Sequence, residues 1–354
     1  MRFVAVIILL TCCFQYPMTC CVQYPMKQQE VMDEEDKDLL IMFWNLENFF
    51  DYKDNGTGES DKEFSPSGSR HWTRKRFYTK CRAIAKSILW IAGQEGRLPD
   101  IIGVAEIENR FVLEKLIEST ALKKLDYGII HYDSPDHRGI DVGMLYRKDR
   151  LKLISSKPFR VIGVSETDPK DSLHTRDILL AQFQAIARLN VLVNHHPSKF
   201  GGAASEWKRA AAIRRLKAIT DSLYASGEKY IIATGDFNDT PENPVFEHLC
   251  NNSWSDGSSG CKLINKALPL ALKGKGTIRF NGKWQLIDMY FVTPELEATE
   301  MKTVTLPFLV KWDNVHPGEK PLRTYSGPKY LAGVSDHLPI VLRLSFSPFP
   351  IIKK

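Results

Sequence analysis

The sequence predicts a single α/β domain, rich in strands, between residues 38 and 346. Eight short apolar runs, bounded by polar or glycine-containing segments, are typical of buried strands. Two longer segments repeat apolar residues at helical spacing. No break in composition divides this region, so we expect one domain although the chain has 354 residues.

The predicted strands and helices follow one another along the whole region. We place strands at residues 39–46, 100–107, 140–147, 179–186, 190–196, 230–236, 286–292 and 338–344. Helices are predicted over residues 73–92 and 204–225. The apolar positions that predict them are Phe77, Cys81, Ile84, Ala85 and Ile88 in the first, and Trp207, Ala211, Leu216, Ile219 and Leu223 in the second. Strands interspersed with helices are typical of an α/β fold.

Residues 1–22 are predicted to be a targeting segment and not part of the domain. Arg2 precedes the apolar stretch FVAVIILL, which at about ten residues suits a signal peptide and is shorter than the roughly 20 that span a membrane. Four cysteines follow, so the segment is either a cleaved signal peptide or a lipoprotein signal with a lipid anchor. We predict a linker at 23–37 and a C-terminal tail at 347–354. We expect an exported protein, either secreted, periplasmic or membrane-anchored as a lipoprotein, with no further transmembrane segment.

Net charge and cysteine content limit the kinds of substrate, metal site and disulfide that the chain could have. The formal net charge is +6, which suits a polyanionic substrate but is well short of a protein that coats nucleic acid. No CxxC pair and no cysteine–histidine spacing of a zinc site occurs. Cys250 and Cys261 flank a loop rich in glycine, serine and asparagine, and they are either a disulfide or two free thiols. We expect a monomer, because nothing in the sequence requires an oligomer.

Polar side chains collect where the predicted strands end or begin. The residues concerned are Asn45, Glu47, Glu106, His195, His196, Asp236, Asn238, Asp288, Asp336 and His337. One such aspartate or asparagine alone is typical of a turn. Asp236 and Asn238 lie two residues apart, so their side chains are expected on one face of the strand. Asp288 interrupts an apolar run and needs a partner, because a buried carboxylate is costly alone.

Together these residue types indicate phosphoester hydrolysis assisted by a metal ion. Carboxylates and amides without cysteine suit a hard cation such as Mg²⁺ or Mn²⁺. An aspartate–histidine pair can hold an imidazolium beside developing negative charge. A second aspartate, oriented by an asparagine, can position and deprotonate a water molecule.

The order of the motifs resembles that of the endonuclease/exonuclease/phosphatase superfamily, which has the DNase I-like fold. The motifs are FWNLENFF, IIGVAEIEN, GIDVGMLYR, VLVNHHPSK, GDFNDTP, LIDMYFV and GVSDHLPI, and they cover roughly residues 38–346. GDFN followed by SDH is the specific part of this match. The resemblance implies a four-layer α/β sandwich, in which two packed mixed β-sheets are flanked by helices and the active site lies at one edge.

The resemblance implies a metal site that binds Mg²⁺ or Mn²⁺. Asn45 is similar to the first-strand asparagine near the metal and phosphate, and Glu106 to the principal metal-binding glutamate. Glu47 stands where some members have an additional acidic ligand, and Asp336 resembles a further metal-site or acid residue. Ala105 departs from the family, because many members have glutamine before the metal-binding glutamate.

The resemblance also implies a catalytic group. Asp236 resembles the residue that activates the attacking water, and Asn238 the residue that orients it. His337 resembles the imidazole that contacts the phosphate, and Asp288 its carboxylate partner. His195 falls where many members have a phosphate-contacting histidine.

Three further residues are expected to bind the substrate phosphate. Arg176 fits an arginine that some members have before the corresponding strand. His196 replaces a common aromatic residue, so it is either a second phosphate contact or a stacked ring. Lys199 is expected, with His196, to hold a terminal phosphate.

The fold leaves the particular phosphoester open. We expect an exported phosphodiesterase, a nuclease, in which Asp236 activates a metal-assisted water and nucleic acid is the substrate. Basic residues near the motifs, namely Arg138, Lys199, Lys208 and Arg209, either support this or are solvated surface charges. The alternative is a phosphatase or phospholipase-type hydrolase of phosphomonoesters, inositol phosphates or lipid head groups. A catalytically inactive binding module is disfavoured, because all the core motif positions are present.

Overall fold

The computed structural model describes most of the predicted domain. The described ranges are 38–56, 58–165, 172–199, 202–250 and 260–346. The predicted signal segment (1–22), linker (23–37) and C-terminal tail (347–354) lie outside them, so these boundaries stay predictions. No helix within the described ranges is long and apolar enough to cross a membrane.

The described residues form nineteen strands. In chain order they are β1 (Leu39–Phe49), β2 (Ile101–Ile107), β3 (Tyr127–His131), β4 (Asp141–Arg147), β5 (Lys152–Phe159), β6 (Ile178–Gln184), β7 (Arg188–His195), β8 (Tyr230–Asp236), β9 (Ile264–Asn265), β10 (Ile278–Phe280), β11 (Lys283–Gln285), β12 (Asp288–Val292), β13 (Leu296–Ala298), β14 (Lys302–Thr303), β15 (Val310–Trp312), β16 (Glu319–Pro321), β17 (Tyr325–Ser326), β18 (Lys329–Tyr330) and β19 (Ile340–Phe346). A strand occurs at each of the eight predicted positions, within a few residues of the predicted ends.

Both predicted helices are present. The α-helices of the described residues are α1 (Arg74–Glu95), α2 (Arg110–Glu118), α3 (Glu206–Ala225), α4 (Glu247–Cys250) and α5 (Leu268–Leu272), and short 3₁₀ turns occur at Ala121–Lys124, Gly202–Ser205 and Pro244–Phe246. Helix α1 begins where the Thr73 side chain accepts a hydrogen bond from the Arg76 amide. It ends at Gly96, whose φ of 73° is left-handed and favours glycine.

Two large mixed sheets form the scaffold. The first has the order β13-β19-β1-β2-β4-β3, with β14 also paired to β19, and the second has the order β5-β6-β7-β8-β12-β9. Each sheet has one parallel pair of neighbouring strands near its centre, β1 with β2 and β7 with β8. Strands β19 and β12 run antiparallel to β1 and β8 respectively. The predicted pair of mixed sheets is therefore confirmed.

The alternation of side chains along β1 explains how the layers are held together. Ile41 and Phe43 belong to the core that includes the second sheet. Met42 and Trp44 belong to a separate core with Ile84 of α1. Because successive side chains of a strand point to opposite faces, one strand buries its two faces against two different layers.

The two sheets pack face to face at Gly103 of β2. A Cβ built on Gly103 would lie 3.1 Å from side-chain atoms of both Phe43 and Val193, so only glycine allows this close approach. Ala211 and Leu216 of α3 join the core that contains β7 and β8. The result is an α/β sandwich of two sheets with helices against them, as the sequence predicts.

Cys81, Cys250 and Cys261 form no disulfide among the residues that the structure describes, which favours the free-thiol alternative for Cys250 and Cys261.

Candidate active site

The predicted site residues meet because of the strand directions. β1 and β2 are parallel, so Asn45 and Glu106 lie at the same edge of the first sheet. β19 is antiparallel to β1, which places the residues before it at that edge as well. In the second sheet Asp288, the first residue of β12, pairs directly with Asp236, the last residue of β8.

The backbone at this edge adopts left-handed conformations that are uncommon for residues other than glycine. The φ values are 44° at Glu47, 50° at Asn48, 57° at Glu106 and 51° at Asn238. The register of β1 with β2 shifts between Asn45 and Phe49, as in a β-bulge. Bulges and strained φ angles cluster at functional sites, where they redirect side chains.

Asp236 lies at the centre of the site and is held by two amide groups. Asn45 Nδ2 donates to Asp236 Oδ2 at 3.0 Å, and the Asn238 backbone amide donates to Asp236 Oδ1 at 2.9 Å. Burial raises the pKa of Asp236 to about 7, although His337 opposes this shift. A carboxylate with such a pKa can accept a proton near neutral pH.

Asp288 and His337 form the predicted pair. His337 Nδ1 lies 2.8 Å from Asp288 Oδ2, and both residues are buried. Burial disfavours the charged imidazole, but Asp288 and Asp236 outweigh it and raise the pKa of His337 well above its ordinary value. The other ring nitrogen, His337 Nε2, faces Asp236 Oδ2 at 3.8 Å. The geometry thus presents an imidazolium to the centre of the site.

Glu106 is connected to Asp236 through His195. Its Oε2 accepts a hydrogen bond from the Asn48 amide at 2.8 Å and lies 3.5 Å from an Arg138 guanidinium nitrogen. Burial raises its pKa, but Arg138 and the Asn48 amide lower it, so the carboxyl stays below its usual range. His195 Nε2 bridges the two acids, at 3.9 Å from Glu106 Oε1 and 3.6 Å from Asp236 Oδ2.

Burial and the nearby Arg176 lower the pKa of His195 well below its ordinary value. His195 is therefore a neutral imidazole at pH 7, unlike His337.

Glu47 has charged and polar partners that satisfy both its oxygens. Arg323 Nε donates to Glu47 Oε1 at 3.0 Å, and the Thr324 amide donates to Glu47 Oε2 at 2.7 Å. Arg323 also donates to Asp336 Oδ2 at 3.0 Å. Burial and the charge of Asp336 raise the pKa of Glu47 to about 7. The metal-ligand roles of Glu47 and Asp336 stay predictions, and the geometry shows both acids sharing Arg323.

The three predicted phosphate-binding residues are mostly engaged with the protein. Arg176 is buried and donates to Asp136 Oδ2 at 2.9 Å and to the His196 carbonyl at 2.6 Å. His196 is buried, and its ring packs edge-to-face on Phe237 at 4.8 Å between centroids. Lys199 is half-exposed and pairs with Asp239 at 2.7 Å. Their contacts with phosphate stay predictions.

Sequence reasoning missed two cations beside Glu47. Lys80 of α1 is buried and donates to the Glu47 carbonyl and to Thr324 Oγ1. It lies three residues after Phe77 and four before Ile84, so a charge on the apolar face of the helix was an available signal. Arg323 lies in a glycine- and proline-rich loop, and its position carried no such signal.

The donor set fits a hard divalent cation. Glu106 Oε1 accepts no hydrogen bond within the described part of the chain, and it lies 3.9 Å from His195 Nε2. Oxygen atoms of Asp236 and Asp288 and a nitrogen of His337 also lie within 4.8 Å of one another. Carboxylate oxygens are ligands that Mg²⁺ and Mn²⁺ prefer. Glu106 and Asn45 are the residues that would hold such an ion next to Asp236.

Fold and site together define a two-sheet α/β sandwich with buried carboxylates and imidazoles at one edge of the sheets. The sequence profile of the Endonuclease/Exonuclease/phosphatase family matches residues 40–345. The chain belongs to this family, and the resemblance inferred from its motifs is confirmed. A search of curated proteins found no match.

Solved structures of the same fold are similar to this chain at low sequence identity. The human Nocturnin catalytic domain with bound sulfate has a TM-score of 0.55 and 19% identity, covering 88% of this chain and 94% of that one. A Bacteroides thetaiotaomicron mannosyl-6-phosphatase has a TM-score of 0.54 and 17% identity, covering 87% and 100%. Humanized D. rerio TDP2 has a TM-score of 0.54 and 14% identity, covering 87% and 99%. These likenesses establish the fold.

Proposed function

We propose that the chain is a metal-dependent phosphodiesterase that acts on nucleic acid, with Asp236 as the general base. The observation that carries this is the position of Asp236, which lies between two imidazoles and is fixed by two neutral amides. This arrangement leaves a basic oxygen next to Glu106 and next to a charged histidine. Those are the groups that hydrolysis of a phosphoester requires.

The first task of these residues is to prepare a water molecule. Asp236 accepts a proton from the water, whose oxygen then attacks phosphorus. The P–O bond to the leaving alcohol breaks, and the departing oxygen takes up a proton from solvent. The Asn238 side-chain nitrogen donates to the His196 carbonyl at 2.9 Å, which fixes the orientation of the amide. Its carbonyl oxygen then serves to orient the same water.

The second task is to stabilise negative charge on the phosphoryl group. His337 is held by Asp288 and carries a proton on the nitrogen that faces the site, so it donates to a phosphoryl oxygen. His195, which is neutral, is placed to donate from one ring nitrogen. A divalent cation held by Glu106 and Asn45 would add stabilisation of the charge on the phosphoryl oxygens.

The proposal that nucleic acid is the substrate rests on the net charge of the chain and on its similarity to one solved structure. The net charge of +6 favours a polyanion, and Arg138 lies at Glu106. A D. rerio TDP2 of the same fold was solved with a single-strand DNA product. Against this, Lys199 and Arg209 both pair with Asp239, so their charge is partly neutralised within the protein.

A phosphomonoesterase is the second candidate, because of a small pocket beside Glu47. The pocket has a volume of about 110 Å³ and is lined by Glu47, Asn48, Phe64, Arg70, Arg323, Thr324, Tyr325 and Gly327. Two arginines and two aromatic rings suit a small phosphorylated group better than a polymer. The likeness to a mannosyl-6-phosphatase favours the same candidate.

Two substrates separate the candidates. Purified protein is incubated with supercoiled plasmid and, in parallel, with mannose 6-phosphate, in Mg²⁺ and in EDTA. Mg²⁺-dependent nicking that Asp236→Asn abolishes supports the phosphodiesterase. Phosphate release from the sugar without nicking supports the phosphomonoesterase, and no activity on either substrate contradicts the assignment of Asp236 as a base acting on these phosphoesters.

We also propose that the protein is exported and monomeric. Export rests on the apolar segment after Arg2, and the monomer on the absence of any sequence feature that requires a partner. Fractionation of producing cells tests the first, and light scattering of the purified protein tests the second. Recovery in the cytosol, or a mass above one chain, contradicts the respective proposal.

A further inference from the structure

Three buried carboxylates lie in the loops that follow β1 and β2, and we call them the loop carboxylate cluster (Asp51, Asp61 and Glu108). Their exposed fractions are 1%, 2% and 8% respectively. The Asp51 amide donates to Glu108 Oε2 at 2.7 Å, which ties the two loops together. No lysine, arginine or histidine of the described residues forms an ion pair with any of the three. Buried carboxylates are rarely left without a cation.

Two buried oxygens of the cluster, Asp61 Oδ1 and Glu108 Oε1, accept no hydrogen bond from an N–H or O–H group of the described residues. The side chains of Asp61 and Glu108 lie within hydrogen-bond reach of each other, so the two acids share either a proton or a cation. A buried acceptor without a partner is destabilising, and more so when it is charged. The remaining oxygen of Asp61 accepts a hydrogen bond from the Gly56 amide at 2.6 Å.

Gly56 lies close beside both acids. A Cβ built on this glycine would lie 3.1 Å from Glu108 Oε1 and 3.3 Å from Asp61 Oδ2. The Asp51 amide donates to Glu108, whereas the Asn48 amide and Arg138 contact Glu106. Glu108 is thus held by other groups than Glu106.

We propose that the loop carboxylate cluster binds a calcium ion, with Asp61 and Glu108 as ligands, at a site separate from the active centre. Hard cations take oxygen ligands, and this cluster offers only oxygen. Ca²⁺ accepts irregular sets of about six to eight oxygens, including loop carbonyls and water, whereas Mg²⁺ demands near-octahedral geometry. An irregular loop without repeated ligand spacing therefore suits Ca²⁺.

The ion would act on the active centre through the loop. The Glu59 amide donates to the His137 carbonyl at 2.8 Å, and a Cβ on Gly58 would lie 2.5 Å from the Arg138 carbonyl oxygen, so the two loops are in close contact. A guanidinium nitrogen of Arg138 in turn lies 3.5 Å from Glu106 Oε2. Calcium bound to Asp61 would therefore help to position Arg138.

The test measures calcium binding directly and does not depend on activity. The purified full chain, first treated with EGTA, is titrated with CaCl₂ by calorimetry, and its Tm is measured in EGTA and in millimolar CaCl₂. We expect one Ca²⁺ per chain and a Tm rise of about 2 °C or more. Asp61→Asn and Glu108→Gln should each weaken binding by about tenfold or more and remove the Tm rise.

Three further variants serve as controls. Glu59→Gln removes an exposed charge from the same loop and should bind calcium like the wild type. Glu106→Gln removes the main acid of the active centre and should also keep calcium binding. Gly56→Ala places a methyl group against both acids without changing charge and should weaken binding, which keeps the test decisive if Asp61→Asn does not fold.

Several results would overturn the proposal. The first is the absence of a Tm rise with calcium. The second is calcium binding that stays unchanged in Asp61→Asn, Glu108→Gln and Gly56→Ala. The third is calcium binding that is lost only in Glu106→Gln. Equal stabilisation of wild type and Asp61→Asn by Mg²⁺ and by Ca²⁺ would also contradict it. None of these results bears on whether Asp236 is a general base.

Discussion

Asp236 and Glu47 are two buried carboxylates whose pKa values are both raised to about 7, with burial as the largest cause. They differ in their partners. Glu47 is bonded by the Arg323 guanidinium, and Asp236 by the neutral amides of Asn45 and Asn238. The nearest cationic group to Asp236 is His337, at 3.8 Å, beyond hydrogen-bond distance.

Under the proposed function, this difference distinguishes Asp236, the general base, from Glu47, whose two oxygens are already bonded. A water molecule that approached Glu47 would have to compete with a guanidinium for the same oxygen. A water molecule beside Asp236 meets an oxygen whose hydrogen-bond partners are neutral amides. A raised pKa alone therefore does not identify a general base, and the charge of the bonded partner is the more informative property.

Removal of the metal should have the largest effect and also tests the role of Glu47. EDTA should abolish hydrolysis, and Mg²⁺ or Mn²⁺ should restore it. Glu106→Gln should raise the metal concentration needed for half-maximal activity by more than about tenfold. Glu47→Gln should change it by less than about threefold, because Arg323 and Thr324 already bond both oxygens. An equal increase in both variants would instead support Glu47 as a metal ligand.

Loss of the Asp288–His337 pair should have the next largest effect. Asp288→Asn should lower kcat by about 10²-fold, because His337 would lose the carboxylate that keeps it protonated and oriented. The matched control is Asp141→Asn, since Asp141 pairs with His131 at 3.0 Å outside the site. Rates of hydrolysis and circular dichroism spectra are measured for both. Equal losses of activity in the two variants would count against a specific role for the pair.

The pH profile should reflect Asp236. This residue must be deprotonated to act as a base, and its pKa is raised to about 7. The rate should therefore rise about tenfold between pH 6 and pH 8 and level off above that. Initial rates at saturating metal and substrate check this, with unfolding measured at each pH as a control. A rate that falls over this range would be incompatible with Asp236 as the base.

Breaking the ion pair between Arg323 and Glu47 should have the smallest effect, and this effect should be on the free energy of unfolding. Arg323→Met leaves the Glu47 carboxylate buried with only the Thr324 amide bonded to it. The free energy of unfolding should fall by about 1 kcal/mol, which is modest because the Arg323 side chain is 47% exposed. Denaturant titration at pH 8 measures it. An unchanged midpoint would mean that Arg323 does not stabilise Glu47.

The central strands and the catalytic group could be predicted because their signals are local. Apolar runs that end in Asn45, Glu106 or Asp236 indicate both the strand and the position of the side chain at its end. Strands β3 and β5 were missed because they are edge strands. The residues of β5 are exposed or half-buried along the whole strand, and Pro158 is one of them. Both features weaken the sequence pattern that would predict a strand.

The surroundings of the site could not be predicted from local patterns. Arg323 is 276 residues from Glu47 in the chain, yet the two side chains are bonded. The residues of the loop carboxylate cluster come together only through tertiary contacts. The same holds, separately, for Glu47 and the two cations beside it. Of these residues Lys80 alone had a usable signal, because it interrupts the apolar face of a predicted helix.

The most direct measurement compares kcat for Asp236→Asn and Glu47→Gln on one diester substrate, at saturating Mg²⁺. Both changes are isosteric and remove one buried acid whose pKa is raised to about 7. If Asp236 is the base, Asp236→Asn lowers kcat by about 10³-fold, and Glu47→Gln lowers it by less than about tenfold. Comparable losses in the two variants, or near-normal activity of Asp236→Asn, would contradict the account.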